Sequence, residues 1–165
     1  MKFSNTRILL ATAALACAGA ASAADTATLL VSATVLGVCK FSGTPTAMAI
    51  TSPSVTYLDP TLTSNGTGTS TVSYKCTKTS SPTLSVGGTA TSPYSASGSN
   101  GLSSGGGSPT YIPFSIAWTQ PAANSGAGFS AAASTLTLTG TVLNTDYVNA
   151  NAGTYSASVA LSINP

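Results

Sequence analysis

The sequence predicts an all-β sandwich, and three observations carry that prediction. Apolar and polar residues alternate with a period of two in several separate runs. The clearest run sets Tyr155, Ala157, Val159, Leu161 and Ile163 against Thr154, Ser156, Ser158, Ala160 and Ser162. Charged residues make up only 5% of the 165-residue chain while Thr, Ser, Gly and Ala abound; such a composition suits disorder unless strand periodicity recurs, as it does here. No segment beyond the first 23 residues holds a helical period for more than a turn or two. About seven strands in two packed sheets is therefore the expected architecture.

Residues 1–23 read as a signal peptide: Lys2 and Arg7, the apolar run Ile8–Ala18, and the small-residue site Ala21-Ser22-Ala23. The apolar run is too short to cross a bilayer, and no later segment is long enough. Ala14-Leu15-Ala16-Cys17 is a poor fit to a lipidation site. Cleavage leaves Lys40, Lys75 and Lys78 against Asp25, Asp59 and Asp146, a formally neutral domain. The excess of positive charge belongs to the signal, so no basic patch argues for a nucleic-acid partner.

The mature chain opens with Ala27, Leu29, Val31, Ala33 and Val35 on alternate positions, and Leu29–Cys39 reads as a first strand. A strand at a free end pairs with its own chain or is lent to another molecule. Pro45, Pro53 and Pro60 punctuate the next stretch, where Ser54–Leu58 suits an edge strand, and Asn65-Gly66 marks a tight turn. Gly68–Cys76 is the next strand, with Val72 and Tyr74 on one face. Cys39 and Cys76 are the only cysteines of the mature chain, and in an exported protein an even count predicts a disulfide. Closing that loop constrains the unfolded chain by about 4 kcal/mol in the entropic account.

After Pro82–Val86 the stretch Gly87–Pro109, dominated by Gly and Ser, reads as a long surface loop or a ragged hairpin, with Tyr94 exposed. Tyr111–Thr119 sets Ile112, Phe114, Ile116 and Trp118 in one register, an aromatic strand expected at the centre of the core. Pro121–Ala133 is a second loop. Thr135–Leu143 follows, with Leu136, Leu138 and Val142 around Gly140, which reads as a bulge or bend. The alternating terminal strand closes the chain.

Chemistry is sparse. The chain has no histidine and no glutamate, so Ser-His-Asp, Cys-His and histidine metal sites cannot be assembled from it. Asp59 and Asp146 are the remaining carboxylates for a glycosidase or protease, with Asp25 too close to the mature terminus to be buried. Gly105-Gly106-Gly107 lacks the Lys-Ser/Thr and following helix of a phosphate cradle. Neither an enzymatic activity nor a cofactor is expected. Asn65-Gly66-Thr67 matches a glycosylation acceptor, but a turn explains it.

Taken in order, VSATVLGVC, VSYKC, YIPFSIAW, LTLTG and GTYSASVALSINP behind a signal peptide resemble the spore coat protein U domain family. That family includes major subunits of archaic (Csu-type) chaperone-usher pili. The segment Ser42–Leu58 departs from it in lacking the Phe-Gly that often follows the first cysteine. The resemblance implies an incomplete immunoglobulin-like sandwich over residues 39–165 that lacks its last strand, preceded by a donor strand within residues 24–38. It also implies a periplasmic chaperone that lends a strand, an outer-membrane usher that exchanges it, and a homopolymer of identical subunits. Ala27, Leu29, Val31, Ala33 and Val35 would then be the donor side chains. Tyr155, Val159, Leu161 and Ile163 would line the acceptor groove and meet the chaperone. The expected product is a cell-surface fimbrium exported through the periplasm, serving adhesion and biofilm formation. A self-complete secreted coat or polysaccharide-binding sandwich is the alternative.

Overall fold

A computed structural model describes residues 25–105 and 110–165; the signal-peptide expectation lies outside the described residues. The chain divides after Thr34 into two units. Of the first, residues 25–34 are described, and they form no strand and are exposed throughout, with Leu29 at 84% and Val31 at 79%. The expected first strand over Leu29–Cys39 is corrected accordingly: alternation gives a chain two faces, but a strand exists only where a neighbour pairs with its backbone. Regular structure begins with β1, Cys39–Phe41.

Val35–Pro165 is nearly all β and sandwich-like. Its main sheet is antiparallel with the order β1-β2-β8-β7-β4, where β2 is Gly66–Cys76, β4 Tyr94–Ala96, β7 Phe114–Trp118 and β8 Ser134–Val142. Two smaller pairs complete it: β3 (Thr83–Val86) with β9 (Leu161–Asn164), and β5 (Leu102–Ser103) with β6 (Tyr111–Ile112). The expected disulfide joins Cys39 to Cys76, which sit opposite each other across β1 and β2.

The β2–β8 ladder shows how composition becomes architecture. Even-numbered positions face inward and bury Val72, Tyr74, Leu138 and Val142. Odd-numbered positions face outward and pair Thr67 with Thr141, Thr69 with Thr139 and Thr71 with Thr137. Threonine suits both demands, being β-branched for the pleat and polar for water. Leu84 and Val86 of β3 join Ile116, Trp118 and Leu138 in one buried cluster, so the core lies between the sheets. Phe114, Ile116 and Trp118 are buried as the aromatic register predicts, with Pro113 separating them from Ile112 in β6.

Gly87–Pro109 takes the hairpin alternative: it holds β4, a single 3-10 turn at Gly98–Asn100, and β5, which pairs antiparallel with β6. Two local expectations are corrected. Tyr94 is half-buried because its ring meets Phe114 edge-on, centroids 6.2 Å apart, and glycine at position 87 leaves room for it. Ser54–Leu58 forms no strand; near it only Thr51 bridges to Thr67.

Gly140 is neither bulge nor bend. The β2–β8 register runs unbroken through Gly68 opposite Gly140, and both are glycine because another segment crosses them. A Cβ on Gly68 would overlap the Ala49 carbonyl, and one on Gly140 would overlap the Met48 thioether.

Candidate functional site: an open apolar groove

The segment that crosses the glycines is a strap, Pro45–Thr51, held to β2 at its ends. Thr46 N–H donates to the Thr71 carbonyl at 3.1 Å, and Thr51 and Thr67 exchange backbone bonds of 3.0 and 2.9 Å. Ser70 Oγ donates to the Thr46 carbonyl at 2.6 Å, which satisfies a buried hydroxyl while fixing the strap. Between those ties Met48 and Ile50 lean over the inner face of the sheet.

Facing the strap is the C-terminal segment, and the space between them is open. A cavity of about 260 Å³ lies there, walled by Met48 and Ile50 on one side and by Val159 and Leu161 on the other, with Phe114, Ile116 and Leu138 as its floor. A second cavity of about 580 Å³ shares Met48, Ile50 and Leu102 with the first and continues toward Tyr147 and Tyr155. Together they make an apolar trough along the strap, within the size range of cavities that bind ligands.

The backbone beside this trough is as incomplete as its side chains. Among the described residues β9 pairs with β3 alone, and β1 closes the other sheet at its edge. Upstream of β9, Ser156 bridges to Ser103, but among the described residues Ala157, Ser158 and Val159 make no backbone hydrogen bond, and Ala160 makes only one, accepting from the Gly87 N–H at 2.8 Å. The cleanest alternating run in the sequence thus forms a strand only at its last four residues. Unpaired N–H and C=O groups next to an apolar trough are what a missing strand leaves behind.

Of the four residues expected to line an acceptor groove, Val159 and Leu161 line the smaller cavity and Tyr155 the larger. Tyr155 is fixed by its hydroxyl, 2.9 Å from Thr110 Oγ1 and donating at 2.9 Å to the Asn151 carbonyl. Ile163 lines neither; it pairs with Leu84 across β9 and β3. The opposite wall, Met48 and Ile50, escaped sequence reasoning because Ser42–Leu58 has no period. The only signal for it was glycine at 68 and 140 inside otherwise regular strands.

Neither Asp59 nor Asp146 lines the trough, although their neighbours Leu58, Pro60 and Tyr147 line its larger cavity. Asp59 accepts from the Thr61 hydroxyl at 2.7 Å and the Thr61 N–H at 2.9 Å, and these bonds hold its pKa below the ordinary value. Asp146 lies in the short helix α1, Asn144–Tyr147. Among the described residues no three side chains of His, Cys, Asp or Glu are grouped to hold a metal, and no helix is long and apolar enough to cross a membrane. No family model, curated protein or solved structure matches this chain.

Proposed function

We propose that this chain is a non-enzymatic structural subunit of a surface fibre, in which the segment Ala27–Val35 of one copy fills the trough of the next. The observation that carries the reading is the pairing of two deficits. Among the described residues the domain has an apolar trough beside unpaired backbone, and the same chain carries an exposed alternating segment with no strand partner. Strand addition answers both, since it supplies a ladder of hydrogen bonds and alternate apolar side chains. Burial of Leu29 and Val31 contributes roughly 1.5–3 kcal/mol each, more than the alanines between which they sit. A contact of this kind is heterologous and non-closing, and therefore produces filaments. The resemblance to the spore coat protein U family supports the same assignment, with a chaperone protecting the trough before assembly and an usher at the outer membrane exchanging the strand.

Deletion of Ala24–Ala33 tests the reading. The truncated subunit is expected to retain the disulfide-linked domain and to bind a chaperone, but not to form fibres visible by electron microscopy. Normal fibres from it would overturn the proposal. Size-exclusion chromatography of the intact mature chain separates this reading from a self-complete secreted sandwich: ladders of oligomers are expected, whereas a monomer at all concentrations would favour the latter.

A further inference from the structure

The few charges of the domain are sorted to opposite ends. Lys40 and Lys75 face each other across β1 and β2, and Lys78 follows just past Cys76, so the three described lysines gather at the disulfide end of β2. At its other end Gly66 pairs with Val142. The loop leading into Gly66 carries Asp59, and α1, directly after that end of β8, carries Asp146. That loop and α1 are tied together: Asn144 Nδ2 donates to the Leu62 carbonyl at 2.7 Å, and Tyr147 Oη to the Ser64 carbonyl at 2.7 Å. Ten residue steps of about 3.3 Å put the poles roughly 33 Å apart. That is about three screening lengths at 0.1 M salt, too far for them to neutralise each other within one copy. A lysine directly opposite a lysine is unfavourable in an isolated ladder, and among the described residues only Lys75 has a hydrogen-bond partner, donating to the Phe129 carbonyl at 3.1 Å.

Two further facts say what meets these poles. The chain is fastened to the lysine pole immediately after Val35: Thr77 Oγ1 donates to the Leu36 carbonyl at 3.2 Å, Val38 N–H donates to Thr77 Oγ1 at 2.9 Å, and Thr77 N–H donates to the Val38 carbonyl at 2.8 Å. A segment ending at Val35 therefore has no slack, and a copy that lends it brings its lysine pole against the mouth where the segment leaves the trough. The C-terminal segment runs from Tyr155, beside Tyr147 at the aspartate end, to Asn164, paired with Thr83 near the lysine end. A segment inserted antiparallel to it leaves at the aspartate mouth; one inserted parallel leaves at the lysine mouth.

We propose that successive copies meet pole to pole, Lys40, Lys75 and Lys78 of one against Asp59 and Asp146 of the next. The inference rests on the strand-donation reading. Like poles repel in the parallel arrangement and opposite poles attract in the antiparallel one, so charge acts here as a selector of partner more than as a source of affinity.

Two charge-reversed versions of the mature chain test it. One carries Lys40→Glu, Lys75→Glu and Lys78→Glu and is acidic at both poles; the other carries Asp59→Lys and Asp146→Lys and is basic at both. Each alone is expected to assemble at least about tenfold more slowly than the parent, and an equimolar mixture to recover the parent rate. A labelled peptide of residues 24–36 is expected to bind all three. If the peptide binds and each reversed version assembles alone at the parent rate, the pole interface is overturned while the groove reading stands. If the peptide binds none of them, the groove reading falls and the inference with it. Should circular dichroism show a reversed version unfolded, the salt dependence of the parent decides. Its assembly rate is expected to fall about tenfold between about 0.01 M and 1 M salt, as screening shortens from about 30 Å to about 3 Å; an unchanged rate overturns the interface.

Discussion

Replacing Gly68 by alanine adds one methyl group, and the strap over the β2–β8 ladder turns it into a severe test. The new Cβ would overlap both the oxygen and the carbonyl carbon of Ala49, which are backbone atoms that cannot rotate aside. The strap must lift, which puts at risk the Thr46–Thr71 and Thr51–Thr67 backbone bonds and the Ser70–Thr46 bond. Overpacking of this kind costs about 1–3 kcal/mol, and each lost bond about 1 kcal/mol more. Against that, alanine is favoured over glycine in a strand by about 0.5–1 kcal/mol. With one of those bonds lost, a net loss of about 2 kcal/mol follows, or about 1 M in urea midpoint for a slope of about 2 kcal/mol/M. Gly140→Ala is an internal comparison: its Cβ meets the ends of the Met48 and Ile50 side chains, which can move, so about 1 kcal/mol or less is expected. Gly153→Ala, with open space around it, should be neutral. Equilibrium urea unfolding of the three variants measures the ranking. A Gly68→Ala protein as stable as its parent would refute the argument that the glycines exist to let the strap cross.

Other expectations are simpler to state. Leu29→Ala in the donor peptide removes about three buried carbon groups at about 0.8 kcal/mol each, so its binding to the mature chain should weaken by more than tenfold in a fluorescence titration, whereas Ala33→Ser should change it little. Replacing Cys39 and Cys76 together by alanine should cost about 2–5 kcal/mol in the same unfolding assay, since the crosslink between β1 and β2 is lost. Asp59 has a folded pKa below its usual 3.8, so its contribution to stability is present above that value and fades as pH falls through the lower folded one. Thr61→Ala, which removes the hydroxyl donor that lowers it most, should bring the carboxyl titration back toward 3.8 by NMR.

Much of the fold was legible because strand periodicity is local. Val72 and Tyr74, Phe114, Ile116 and Trp118, and Leu138 and Val142 alternate with polar neighbours, and each is buried. The disulfide was legible because Cys39 and Cys76 are the only cysteines beyond residue 23, and β1 and β2 bring them together. Half of the candidate site was legible for the same reason, since Val159 and Leu161 lie in the terminal alternating run. The other half was not: Met48 and Ile50 occupy a segment without period, and their place follows from a crossing over Gly68 and Gly140 that no neighbouring residue specifies.

The sequence by itself therefore determined the fold class and the inward face of each strand, because a period of two sorts side chains wherever a sheet forms. It also left one alternating segment, Ala27–Val35, with no obvious neighbour. Only the tertiary structure decided that the terminal run would pair at Ser156 and over Leu161–Asn164 and stay open between them, that a strap would wall the resulting trough, and that three lysines and two aspartates would end at opposite poles of β2. These depend on which segments cross and which ladders end, and such contacts between residues distant in the chain leave no local pattern to read.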